Sequence, residues 1–148
     1  MPEVGFYHLT RTPLARALPQ LLGRTLAAGQ RAVVRCPAEA LVAELDAALW
    51  EAAEPEWLPH GTAADGDADL HPIWLTAIDE APNGARYLFL VGGAESAAWT
   101  GFARVFDLFD GRDEAAVAAA RDRWRAVRAA GAAPVYWKQT ERGWAKQD

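Results

Sequence analysis

The apolar positions along the chain switch between two periods. Short runs rich in β-branched and aromatic residues stand at 4–9 (VGFYHL), 31–36 (RAVVRC), 72–77 (PIWLTA), 86–91 (RYLFLV), 104–109 (RVFDLF) and 134–138 (PVYWK). Each predicts a strand, because such side chains fit a pleated, half-buried surface. Between them the spacing becomes helical. Residues 13–28 place Leu14, Ala17, Leu18, Leu21, Leu22 and Thr25 on one face, and Gly29 ends the pattern. Pro19 falls inside it; an interior proline costs about 3 kcal/mol, so a kink or an interruption is expected there. Pro37 opens a second helix over 38–50 that buries Leu41, Val42, Leu45, Ala48 and Leu49. Gly92 and Gly93 precede a short helical piece at 95–101.

The clearest helix follows the turn dipeptide Asp110-Gly111. Asp113 is placed to cap it, Glu114 suits its positive end, and Val117, Ala120, Trp124 and Val127 recur at spacings of 3 and 4. Gly131 supplies the stop. Three other stretches are less regular. Residues 51–71 form a long acidic connection containing WLPH (57–60) and DGDAD (65–69). A connection of that length is functional or mobile. Mobility is expected over 61–71, with Trp57 and Leu58 anchored or forming a contact surface. Asn83-Gly84, between two strand runs, predicts a hairpin-like antiparallel pair. The tail, 140–148, is polar except for Trp144, which is expected to pack back. Strands alternating with helices predict a Rossmann-like α/β fold: one domain over 1–148, its sheet mainly parallel, with helices on both faces.

Composition narrows the function classes. No apolar run approaches the roughly 20 residues of a membrane span, and a basic-then-apolar leader is missing from the N-terminal stretch, so no membrane partner is expected. The lone Cys36 excludes an internal disulfide framework and fits a reducing cytoplasm. A net charge of −5 argues against a protein that coats DNA, yet the charge is unevenly spread. Residues 121–146 carry seven cations against two anions, a balance of +5, which leaves −10 elsewhere. A basic end on an acidic body favours a localised acidic partner over a long polyanion.

Catalytic chemistry finds little support. The first strand–helix junction reads HLTRTPLA and contains no glycine, whereas phosphate-cradling loops need GxxxxGK[ST] or GxGxxG there. Cofactor binding is therefore not expected. His8, His60, His71 and Cys36 lack the short spacings of zinc ligands; His60 and His71 read as loop residues and His8 as a strand end. No nucleophile elbow is present, and Asp107, within a strand, suits a hydrogen-bonded structural role. Seven tryptophans are unusual, and Trp57 and Trp99, in or beside loops, are candidate protein–protein anchors. On the helix that follows Asp113, Arg121, Arg125 and Arg128 fall on a narrow arc beside Trp124. That arrangement suits a short acidic, aromatic-ended peptide, and equally describes a solvated helix face. The balance favours a non-catalytic binding module. The alternative is a small nucleotide-dependent α/β enzyme or regulator.

FYHL at 6–9, LDAALW at 45–50, WLPH at 57–60, RVFDLFDG at 104–111, ARDRWRAVRAAG at 120–131 and YW at 136–137 together resemble the chi subunit of bacterial DNA polymerase III. The resemblance spans nearly the whole chain. It implies a Rossmann-like fold without a nucleotide site and an accessory role in DNA replication. Partners implied are the clamp loader, through the psi subunit or an equivalent, and the acidic, phenylalanine-ended tail of single-stranded-DNA-binding protein. Single-stranded DNA is then met only indirectly. The resemblance places Arg121, Trp124, Arg125 and Arg128 at the tail pocket, with Phe109 near its floor. Two positions depart from the family's pattern: Val117 stands where better-studied chi subunits can carry a lysine, and Trp124 stands for a tyrosine. The first lowers the expected tail affinity; the second keeps an aromatic wall.

Overall fold

The computed structural model describes residues 1–52 and 57–147. In chain order these form β1 (Glu3–Leu9), α1 (Leu14–Ala27), β2 (Ala32–Arg35), α2 (Glu39–Glu51), β3 (His60–Thr62), β4 (Ile73–Thr76), β5 (Tyr87–Val91), β6 (Arg104–Asp110), α3 (Glu114–Ala129), β7 (Val135–Thr140) and β8 (Gly143–Gln147). Single 3₁₀ turns lie at Ala68–Leu70 and Trp99–Gly101, the latter within the predicted helical piece at 95–101. The architecture is mixed α/β: among the described residues, three α-helices and one sheet of eight strands, ordered β3-β4-β2-β5-β6-β1-β7-β8. Every pairing is parallel except β7 with β8.

Period-2 alternation sorts the strand side chains onto two faces. Tyr7, Val34, Ile73, Leu75, Phe89, Phe106 and Leu108 meet Leu18, Leu21 and Leu22 of α1 and Val42, Leu45 and Leu49 of α2. On the other face Val4, Phe6, Leu88, Leu90, Val105 and Phe109 meet Ala120, Val117, Trp124 and Val127 of α3. Helices thus cover both faces, and unequally. The α1–α2 face holds large, fully buried aliphatics, whereas Ala120 is the single fully buried residue of α3.

Four expectations are corrected. The helix is not interrupted at Pro19, whose ring is buried with Leu18 and Leu21, and that burial offsets the missing N–H. Asn83-Gly84 makes no hairpin, since β4 and β5 pair in parallel with opposite edges of β2. The Asn83 amide is occupied elsewhere, donating to the carbonyls of Ala32 (3.1 Å) and His71 (3.0 Å), which ties the β4–β5 crossover to the sheet. The connection after α2 is not structureless, for β3 adds to β4 as a parallel edge strand. Within it His60 is buried rather than in a loop, its Nδ1 2.7 Å from the Leu58 carbonyl oxygen and its Nε2 3.0 Å from Asp46 Oδ1. Part of that connection, 53–56, lies outside the described residues. The expectation for the tail is met: it forms β8, and Trp144 packs edge-on against Tyr7 at 5.1 Å.

Candidate functional site

α3 begins where its sequence says it should. The Asp113 carboxylate accepts hydrogen bonds from the amides of Ala115 (3.0 Å) and Ala116 (3.4 Å), satisfying donors that the first turn leaves free. The helix lies over β6 and β1 with small residues beneath it, so the larger Trp124 ring stands half-buried at the edge of the contact. It meets Phe6 edge-on at 5.3 Å and Tyr136 at 6.5 Å.

Beside that ring opens a cleft of about 230 Å³ lined by Phe6, His8, Phe109, Val117, Ala120, Arg121, Trp124 and Tyr136. Of the residues placed at the pocket from sequence, Arg121, Trp124 and Phe109 come together here, with Phe109 buried among the lining residues. Arg125 and Arg128 do not line it. Arg125 is exposed and pairs with Asp122 at 3.0 Å, while Arg128 is exposed in the last turn. Three lining residues escaped the sequence reading: Phe6, His8 and Tyr136. Strand alternation already put Phe6 and His8 on one face, but only the β1–β7 register sets Tyr136 directly across from Phe6.

His8 lines the cleft from β1. Its ring stacks on Tyr136 (5.7 Å) and tilts against Phe109 (4.9 Å), and its Nδ1 is hydrogen-bonded to the Tyr136 hydroxyl. A Cβ added at Gly111 would fall 2.0 Å from His8 Nε2, so glycine is what lets the ring lie there. Burial holds the His8 pKa below the ordinary histidine value, and the positive charges of Lys138 and Arg121 add to the effect. The polar backbone of Gly111 beside the ring and the negative charge of Asp110 oppose it.

The opposite flank of α3 carries a buried ion pair beside a second cleft of about 270 Å³, whose lining includes Phe6, Ser96, Trp99, Asp107, Arg123 and Val127. Arg123 Nε and an Arg123 terminal nitrogen donate to the two oxygens of Asp107 at 2.7 and 3.0 Å. Both side chains are nearly inaccessible, at 10% and 4%. Burial pushes the Asp107 carboxyl above its ordinary value while the Arg123 fork opposes that shift. Asp107 has the structural role its strand position implied.

The rival, nucleotide-dependent reading has a defined place to be tested. Connections leave β1 and β6 in opposite directions along the sheet, through α1 to β2 and through α3 to β7. In open α/β sheets, ligands bind at the strand C-terminal ends of such a switch point. A crevice of about 470 Å³ lies there, bounded by Thr12, Pro13, Gly92, Gly93, Asp110, Arg112 and Asp113. Its chemistry is wrong for a phosphate. Asp110 and Asp113 place carboxylates in it, Asp113 already occupies the α3 amides, and Arg112 pairs with Asp110 at 3.4 Å. Among the described residues no three His, Cys, Asp or Glu side chains are grouped to hold a metal ion. Cys36 is buried, its pKa pushed up to about 12 by desolvation, which removes it as a nucleophile near neutral pH.

No helix among the described residues is long and apolar enough to cross a membrane. The comparison with curated proteins yields no match. A family model described as the DNA polymerase III chi subunit, HolC, matches residues 1–135, which takes in β1 through α3 and every residue of the cleft except Tyr136. The chain belongs to the DNA polymerase III chi subunit family, a family of non-catalytic accessory subunits acting in DNA replication.

Proposed function

We propose that the cleft beside Trp124 receives the acidic, phenylalanine-ended C-terminal tail of single-stranded-DNA-binding protein. In this reading the protein links the polymerase III clamp loader, through psi or an equivalent subunit, to DNA coated by that protein in the cytoplasm. It touches single-stranded DNA only through the coat. The reading also takes the fold as Rossmann-like and residues 1–148 as one chi-like domain.

The observation that carries it is the pairing of an aromatic-walled cleft with a guanidinium at its rim. A cavity of about 150 Å³ suffices to bind benzene, and the cleft, at about 230 Å³, has room for a benzyl side chain. Phe6, Phe109, Val117 and Trp124 provide the apolar contacts, and Arg121 provides the charge for a carboxylate next to that ring. Arg125 and Arg128, farther along the same flank, attract upstream acidic residues through longer-range Coulomb forces. Calorimetric titration with a synthetic acidic, Phe-ended peptide tests the reading. Saturable binding that weakens with salt is expected, and Arg121→Glu removes it. The switch-point crevice keeps the nucleotide-dependent reading testable: a melting temperature raised by ATP, GTP or NAD, and unmoved by the peptide, would favour that reading instead.

A further inference from the structure

We propose that His8 and Tyr136 complete, with Arg121, a receptor for the free C-terminal carboxylate of the docked peptide, and that docking loads one proton onto His8. The inference rests on the docking reading above and adds to it a chemical selection and a pH dependence.

The geometry supplies the parts. Arg121 from α3, Tyr136 from β7 and His8 from β1 line the same end of the cleft, and the Tyr136 hydroxyl and His8 Nδ1 already share a hydrogen bond. A neutral imidazole has one donor and one acceptor nitrogen. With the neutral ring's proton on Nε2, the nitrogen that faces Gly111, Nδ1 is the acceptor and the Tyr136 O–H is the donor. In that state the hydroxyl proton points at His8 and is lost to any ligand. A carboxylate beside Arg121 changes the balance. It offsets the Arg121 and Lys138 charges that disfavour imidazolium, and it joins Asp110 in favouring it. Solvent then supplies a proton to Nδ1, the new Nδ1–H donates to the Tyr136 oxygen, and the Tyr136 O–H turns to donate to the carboxylate. One proton enters, no other bond to hydrogen is broken, and every donor keeps an acceptor.

The charged and titratable groups around His8 are few, which makes the linkage readable. Arg121 faces it from α3, Lys138 and Tyr136 from β7, and Asp110 from the end of β6. Of these and His8 itself, only the imidazole has an ordinary pKa within the range from about pH 5 to 8. Ordinary carboxylates of the peptide stay ionised there.

The test is calorimetric titration of the full chain with an acidic, Phe-ended peptide, as free acid and as C-terminal amide. It is run at about pH 7.5 and about pH 5.5, in two buffers of different ionisation heat. For the free acid, affinity should rise roughly fivefold at the lower pH, the gain from turning a neutral contact into a charge-assisted one. The heat should depend on the buffer, reporting proton uptake. His8→Leu, which roughly conserves volume, should lose both the pH dependence and the uptake. Tyr136→Phe should do the same with the ring retained. The amide should bind more weakly and without uptake. A wild-type affinity independent of pH, or a dependence that survives in folded His8→Leu, overturns the inference and leaves docking standing. Failure of the wild type to bind at either pH overturns both.

Discussion

Arg121 and Arg123 stand two positions apart on one helix and end in opposite environments. At about 100° per residue they point roughly 200° apart around α3. Arg121 is exposed at the rim of an aromatic cleft, whereas Arg123 is buried in a two-pronged bond to Asp107. The residue type is the same, so phase alone decides the role. One flank is a clamp that fixes the helix to β6. The other is held by half-buried Trp124 and Val117, and keeps an exposed guanidinium at the rim of its cleft. The clamp fixes the register of the helix that walls a cleft on either flank.

Four perturbations bear on that contrast, and the largest falls on the clamp. Removing one partner of a buried ion pair leaves an uncompensated charge and typically costs about 3–5 kcal/mol. Arg123→Ala or Asp107→Ala should therefore lower the melting temperature by roughly 10 °C. The exposed Arg125–Asp122 pair, with 73% and 78% of its side chains accessible, is the internal control. Arg125→Ala should shift stability by no more than a few tenths of a kcal/mol. Thermal unfolding of the three variants checks both statements, and equal shifts would erase the distinction between the flanks.

Next comes the open flank. Arg121→Glu should leave the melting temperature nearly unmoved and weaken peptide binding by at least about tenfold, since charge-assisted contacts to a carboxylate contribute about 1.5–3 kcal/mol and reversal adds repulsion. Titration of a variant shown to be folded by circular dichroism decides it. Arg128→Glu and Arg125→Glu should each cost about two- to fivefold, an effect that fades as salt shortens the screening length below about 10 Å. From the arc alone Arg128 stood equal to Arg121; its absence from the cleft lining makes its effect the smaller one.

The smallest effect is on stability against pH. The His8 pKa is lowered in the folded protein, so below the ordinary histidine value of about 6.5 the unfolded chain binds the proton first. Stability should decline as pH falls through that value towards the lower, folded one. Denaturant unfolding at several pH values should show this slope in the wild type and a shallower one in His8→Leu.

α3 was legible from end to end because its information is local: the Asp113 cap, the spacing of Val117, Ala120, Trp124 and Val127, and the stop at Gly131. The parallel sheet and its two covered faces were legible for a similar reason, through periods of 2 and 3.6. What failed depended on pairing across distance. Asn83-Gly84 is a local turn signal, yet its amide bridges β2 and the residues before β4, and β2 lies between the strands it was expected to join. His60-Gly61-Thr62 is too short to show alternation, and the polar residues of β8 gave no reason to expect an edge strand. The cleft shows the same limit. Trp124 and Arg121 could be named from one helix, while Phe109 entered only through the family resemblance. His8 and Tyr136 meet only because β1 lies between β6 and β7. The Asp107 partner of Arg123 was equally hidden, although the 100° spacing already set Arg123 apart from the other three arginines.

The central claim is that the peptide docks on the Arg121 flank of α3 and not on the Arg123 flank or in the switch-point crevice. A map of backbone and indole chemical-shift changes on adding an acidic, Phe-ended peptide to isotope-labelled protein tests it most directly. The predicted result is a continuous set of shifts at His8, Val117, Arg121, Trp124 and Tyr136, with Ser96, Trp99 and Gly92–Gly93 unmoved. Shifts centred on Ser96, Trp99 and Arg123, or on the glycine pair, with the Trp124 indole unchanged, would contradict it.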